Sequence, residues 1–83
     1  MQAIFVQVKC APGQAYKVAA ELVDTLEETS EVYSTSGRFD LLAKFYLEEG
    51  SDVGRFVTER LQTIGGVADT FTIMTFNAFT GKA

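Results

Sequence analysis

The residues most able to do chemistry in this chain lie in one short stretch, Ser36-Gly37-Arg38-Phe39-Asp40, between two apolar runs. Asp40 is an acid at the mouth of a strand. A carboxylate there can accept charge-assisted hydrogen bonds from an ammonium group, which are stronger than neutral ones. The competing reading is an Asx turn or a surface charge. Arg38 presents a planar fork that matches a carboxylate, or is a solvated loop arginine. Phe39 could wall a pocket or plug a contact between subunits. Gly37 suits a positive φ in the turn, and that role allows a ligand to approach its backbone. Cys10 reads as a small buried hydrophobe. A thiol nucleophile needs a base, and the chain has no histidine. No cofactor is expected, and one thiol without histidine makes no zinc site.

Elements must position that stretch. Ile4, Val6, Val8 and Cys10 alternate on one side of a strand over residues 3–10. "APG" breaks it, and Pro12 suits a helix entry. Ala15, Val18, Ala19, Leu22 and Leu26 then recur at helical spacing, predicting a helix over about residues 13–28. "EVYSTSG" and "DLLAKFYL" read as two strands of a hairpin with a short turn. Ser51 or Asp52 can cap a second helix with the stripe Val53, Phe56, Val57, Leu61 and Ile64, stopped at Gly65-Gly66. "DTFTIMTFNAF" is a last strand rich in threonine and aromatics.

The order strand, helix, strand, strand, helix, strand makes two interlocked βαβ units, a ferredoxin-like α+β sandwich. Right-handed crossovers put both helices on one face of an antiparallel sheet. The other face is bare, with Phe5, Phe71 and Ile73 as candidates for it. Soluble monomers rarely show such a patch, so the expectation is a dimer joined sheet to sheet.

The length of 83 residues allows one domain, 1–83. A domain this small buries only about 60% of its unfolded surface, and association is the remaining route to stability. A net charge of -4 argues against direct binding to nucleic acid. No apolar run reaches the roughly 18 residues of a membrane span. With no export signal and a lone thiol, the expected location is the cytoplasm. The acids Glu21, Asp24, Glu27, Glu28 and Glu31 crowd the end of the first helix, where the macrodipole disfavours them. They read as a solvated face or as a contact for Lys9, Lys17 or a partner's basic patch.

"VKCAPGQAYKVAAEL", "SGRFDLLAKF" and "IGGVADTFTIMTF", in this order and spacing, resemble the effector-binding domain of the Lrp/AsnC feast/famine regulators. The resemblance covers nearly the whole chain. It implies a βαββαβ domain that dimerises and then assembles into rings, commonly octamers. It also implies a small ligand, usually an amino acid, between dimers. Asp40 matches the family's Gly-x-x-Asp acid. Thr70 and Thr72 match its Thr-x-Thr, although threonine is also an ordinary strand residue. Ile73, Met74 and Thr75 fall where the family places part of its effector pocket, and Ser34 matches a position associated with effector response. The usual N-terminal helix-turn-helix is lacking in this sequence. The expectation is therefore a stand-alone domain that acts on transcription indirectly, by mixing with full-length regulators. Two other readings stay open. One is a cofactor-free dimeric enzyme of monooxygenase type, which would need a deep pocket inside each subunit. The other is a purely structural assembly module.

Overall fold

The computed structural model describes residues 1–82. The elements are β1 (Gln2–Cys10), α1 (Ala15–Thr25), β2 (Thr29–Ser34), β3 (Leu41–Leu47), a second helix, and β4 (Val67–Met74). The second helix, α2, is regular over Val53–Phe56 and wider, with π-type winding, over Val57–Leu61. The strands form one antiparallel sheet in the order β2-β3-β1-β4. This is the ferredoxin-like arrangement.

The core lies between the sheet and the helices. Ile4, Val6 and Val8 of β1 are fully buried against Val18 and Leu22 of α1, Leu61 of α2, and Leu41, Ala43 and Phe45 of β3. Phe45 and Phe56 meet edge to face, with ring centroids 5.2 Å apart. Both apolar helix stripes join this one cluster, so both helices cover the same sheet face. The opposite face carries Phe5, Leu42, Lys44, Tyr46, Tyr33, Phe71 and Ile73. The register demands it, because Phe5 stands opposite Lys44 on one side and Ile73 on the other. Phe71, Tyr33 and Tyr46 are exposed there.

Element ends differ from the periodicity in instructive ways. Helix α1 spans Ala15–Thr25 rather than residues 13–28. Gly13 turns with φ +78°, Gln14 is the N-cap, and Leu26 is already extended. The last turn has no basic residue to offset its acids, so the helix gains nothing by running on. Strand β2 covers Thr29–Ser34 instead of residues 31–37, because residues 35–40 form a turn wider than a tight hairpin. Strand β4 ends at Met74, not Phe79: Met74 faces Ile4, and Ala3 and Gln2 of β1 are left without β4 partners. Phe76 and Phe79 are 97% and 94% exposed. Asp52 does cap α2, accepting the Arg55 amide at 3.0 Å.

Candidate functional site

The turn between β2 and β3 is built by its own hydrogen bonds. The Thr35 amide donates to the Asp40 carbonyl at 2.9 Å, and the Thr35 hydroxyl to the Phe39 carbonyl at 3.1 Å. Gly37 takes φ +103°, a conformation that favours glycine. Lys9 reaches across from β1 and donates to the Arg38 carbonyl at 3.3 Å.

Asp40 has a structural task. Its amide donates to the Val8 carbonyl at 2.9 Å. The β1–β3 ladder ends at the Val8–Leu41 pair, so the next β1 amide on that side, Cys10, lacks a strand carbonyl. The Asp40 carboxylate replaces it, with Oδ2 accepting the Cys10 amide at 2.7 Å. A buried amide without an acceptor is costly, and β1 is irregular at that point, where its register against β4 shifts between Lys9 and Cys10. The carboxylate therefore braces the end of β1. Its Oδ1 receives no hydrogen bond among the described residues, and the side chain is half-buried. The neighbouring Cys10 thiol is buried, as its place on β1 led one to expect. Burial pushes its pKa up, the Asp40 carboxylate adds to the rise, and Lys9 opposes it.

The sheet places Thr70 beside this turn. Thr70 faces Val8 from β4, and Asp40 reaches the Val8 carbonyl from the other side. Two strand spacings, about 10 Å, separate Asp40 from Thr70. The Thr70 hydroxyl accepts a hydrogen bond from Gln62 Nε2 at 2.8 Å. Phe39 packs towards Phe71, with centroids 6.2 Å apart, and so ties the turn to the bare sheet face.

The remaining site residues are more scattered. Thr72 and Met74 share the helix side of β4 with Thr70, opposite Val6 and Ile4. Ile73 points to the bare face, opposite Phe5. Met74 is four residues beyond Thr70, about 13 Å along the strand. Ser34 pairs with Leu41 at the end of β2 and is exposed. Arg38 is exposed, and its guanidinium makes no ion pair among the described residues. The turn and the start of β4 thus share one end of the sheet, with the Thr70 hydroxyl on its helix side and the Phe39 and Phe71 rings towards its bare side. Ile73 and Met74 belong to the far end of the strand.

Sequence reasoning did not single out Tyr33, Lys44 and Tyr46. Lys44 lies over the Phe5 and Tyr46 rings at 5.7 and 5.0 Å, and the Tyr33 hydroxyl donates to the Glu31 carboxylate. Alternation in "LLAKFYL" was the available signal. Arg60 was missed as well: it pairs with Glu28 at 2.5 Å, in place of the contacts with Lys9 or Lys17 considered for the acidic run. The space between sheet and helices, where a cofactor-free enzyme would hold substrate, is filled by Phe45, Ile4, Leu22 and Leu61.

Comparison with known proteins agrees with this architecture. A family model described as the Lrp/AsnC ligand binding domain matches residues 3–81. An HTH-type transcriptional regulator of Pyrococcus furiosus is 32% identical over 74 residues, covering 87% of this chain and 49% of its own length. The chain spans about half the length of the curated relatives it matches. The crystal structure of TTHA0845 from Thermus thermophilus superposes with a TM-score of 0.84 at 26% identity, covering 98% of this chain and all of that one (100%). The transcriptional regulator NMB0573 of Neisseria meningitidis, solved as a complex with L-Met, has a TM-score of 0.82 at 18% identity and covers 96% of this chain and 53% of that one. With strand order, helix placement and family match in agreement, this chain belongs to the Lrp/AsnC ligand-binding domain family.

Proposed function

We propose that this chain is an amino-acid-sensing assembly module, a single effector-binding domain over residues 1–83, working in the cytoplasm. Two copies join through the bare sheet face, and dimers assemble into an octamer or similar ring. An amino acid or related small metabolite binds where dimers meet. The effect on transcription is indirect, through assembly with full-length regulators, without direct contact to nucleic acid. The net charge of -4 suits that division of labour.

The observation that carries the reading is the free Asp40 Oδ1 at the mouth of the turn. One oxygen of the carboxylate is held by Cys10, which orients the other. That oxygen is the acceptor for the ammonium end of a ligand. Main-chain groups near Gly37 and the hydroxyls of Thr70 and Thr72 meet the rest, with Arg38 available for a carboxylate. Phe39 supplies an apolar wall. Ile73 and Met74 lie too far along β4 to share that mouth, so they serve the pocket through a neighbouring subunit, whereas Ser34, paired with Leu41, flanks the turn itself. The L-Met complex of the Neisseria regulator supports this class of ligand. A ligand seated between dimers favours the ring by its differential affinity for it.

Native mass spectrometry with and without the twenty amino acids tests this. The wild type is expected to shift towards one assembly with one amino acid, with the ligand mass retained. Asp40→Asn keeps an acceptor for the Cys10 amide but loses the charge. It is expected to stay folded and to bind at least about tenfold more weakly, as for a lost charge-assisted bond. Unchanged binding by Asp40→Asn would leave Asp40 as a brace only.

A further inference from the structure

Away from the turn, two unassigned features lie at the opposite end of the sheet. The first is an open hollow of about 510 Å³, whose lining includes Glu27, Glu28, Ser30, Tyr46, Leu47 and Glu48. Its size falls within the roughly 300–1,000 Å³ of ligand clefts. Its walls mix an aromatic ring and a leucine with three carboxylates. Glu28 Oε2 is taken by Arg60 at 2.5 Å, while Glu28 Oε1 is buried without a hydrogen-bond partner among the described residues. A buried carboxylate oxygen in that state calls for a donor.

The second feature is the segment after β4, Thr75-Phe76-Asn77-Ala78-Phe79-Thr80-Gly81-Lys82. It leaves the sheet at Met74, although the register would allow Ala3 and Gln2 to pair with its first residues. Phe76 and Phe79 are almost fully exposed, which singles them out from scattered surface apolar residues. The segment has no acid, and Lys82 is its charge. Asn77, between the two rings, carries an amide donor.

The two features are chemically complementary. Aromatic rings meet the Tyr46 and Leu47 walls, an amide donor meets the orphaned Glu28 Oε1, and a lysine meets the acidic rim. We propose that the 75–82 segment of one copy docks in the Glu27–Glu48 hollow of a second copy. Within a single chain the segment would have to cross β1 to reach the hollow beside β2 and β3, and both its rings are in solvent. This contact adjoins the sheet face at Tyr46, which lines the hollow as well, and lies away from the turn. It stands whether or not an amino acid binds at Asp40.

Engineered thiols test the docking directly, with buried Cys10 left in place. Chains carrying Phe79→Cys are mixed with chains carrying Ser30→Cys in a glutathione redox buffer, and products are weighed without reduction. The expected result is a mixed covalent dimer well above either homodimer, increasing with protein concentration. A chain carrying both substitutions that closes on itself without interchain product would overturn the proposal in favour of a strap within one chain. So would a product distribution no different from random pairing. In sedimentation, the double variant Phe76→Ser/Phe79→Ser is expected to weaken the corresponding association step by about tenfold or more, as loss of aromatic anchors does. Both rings are exposed, so these changes open no core. Association equal to wild type would refute the contact.

Discussion

Cys10 couples the end of β1 to pH. Its thiol pKa is raised in the fold, first by burial and then by the Asp40 carboxylate. Below the ordinary thiol range both folded and unfolded chains keep the proton, and the full stability is present. As pH rises through that range the unfolded chain loses its proton first, so stability falls towards the folded pKa. Tyr33, raised mainly by its bond to Glu31, and Lys44, raised mainly by Tyr46, act in the same sense at still higher pH. The thiol is therefore isolated by comparison with Cys10→Ala between pH 7.5 and 9.5, on the order of one unit either side of a free thiol. Wild type is expected to lose melting temperature more steeply across that window than the variant, and parallel slopes would remove the thiol from the account. Asp40 illustrates what residue types can and cannot say. Its place in a Gly-x-x-Asp turn was legible. Its bond to the Cys10 amide was not, because that bond depends on where two other strands stop pairing.

At the scale of elements, the cap of α2 and the turn that follows it carry the local stability, for α2 ends at Leu61 with Gln62 as its C-cap and not at Gly65-Gly66. Asp52→Ala removes the acceptor for the Arg55 amide and is expected to cost about 1 kcal/mol in urea unfolding. Gly66→Ala should cost more. Gly66 has φ +99°, and a Cβ there would sit 2.9 Å from Val18 Cγ2 and 3.1 Å from Gln14 Cβ. The strain and overlap together are worth roughly 2–4 kcal/mol. Gly65→Ala is the control, since Gly65 has ordinary φ and open space, and a change under about 0.5 kcal/mol is expected. Equal effects at both glycines would show that the α1 contact at Gly66 is not tight. The wide winding of Val57–Leu61 escaped the pattern reading. The Gln62 amide bonds the Val57 carbonyl at 2.8 Å, five residues back. Val57 and Leu61 still reach the core, and an apolar stripe records which residues are inside, not how many residues close a turn.

For the whole molecule, the bare sheet face is the dominant surface. Phe71 is 56% and Ile73 36% exposed, beside Tyr33, Tyr46 and the Lys44-capped Phe5 ring. If this face joins two copies, Phe71→Lys/Ile73→Lys places like charges along its β4 edge and leaves the helix side intact. Sedimentation is expected to show the dimer replaced by monomer with unchanged circular dichroism. A persistent dimer would move the interface elsewhere.

Element order, the apolar stripes, the Asp52 cap and the candidacy of Phe5, Phe71 and Ile73 for the bare face were all determined by the sequence alone. Each rests on periodicity or residue type along one segment, and a segment carries its own period wherever it packs. Only the tertiary structure decided that β4 stops at Met74, that Asp40 braces Cys10, that Glu28 pairs with Arg60, and that a hollow opens beside Leu47. These depend on where separate strands stop pairing and on which side chains meet across 30 or more residues of chain. Such encounters are set by the register of the sheet, and no local pattern encodes them.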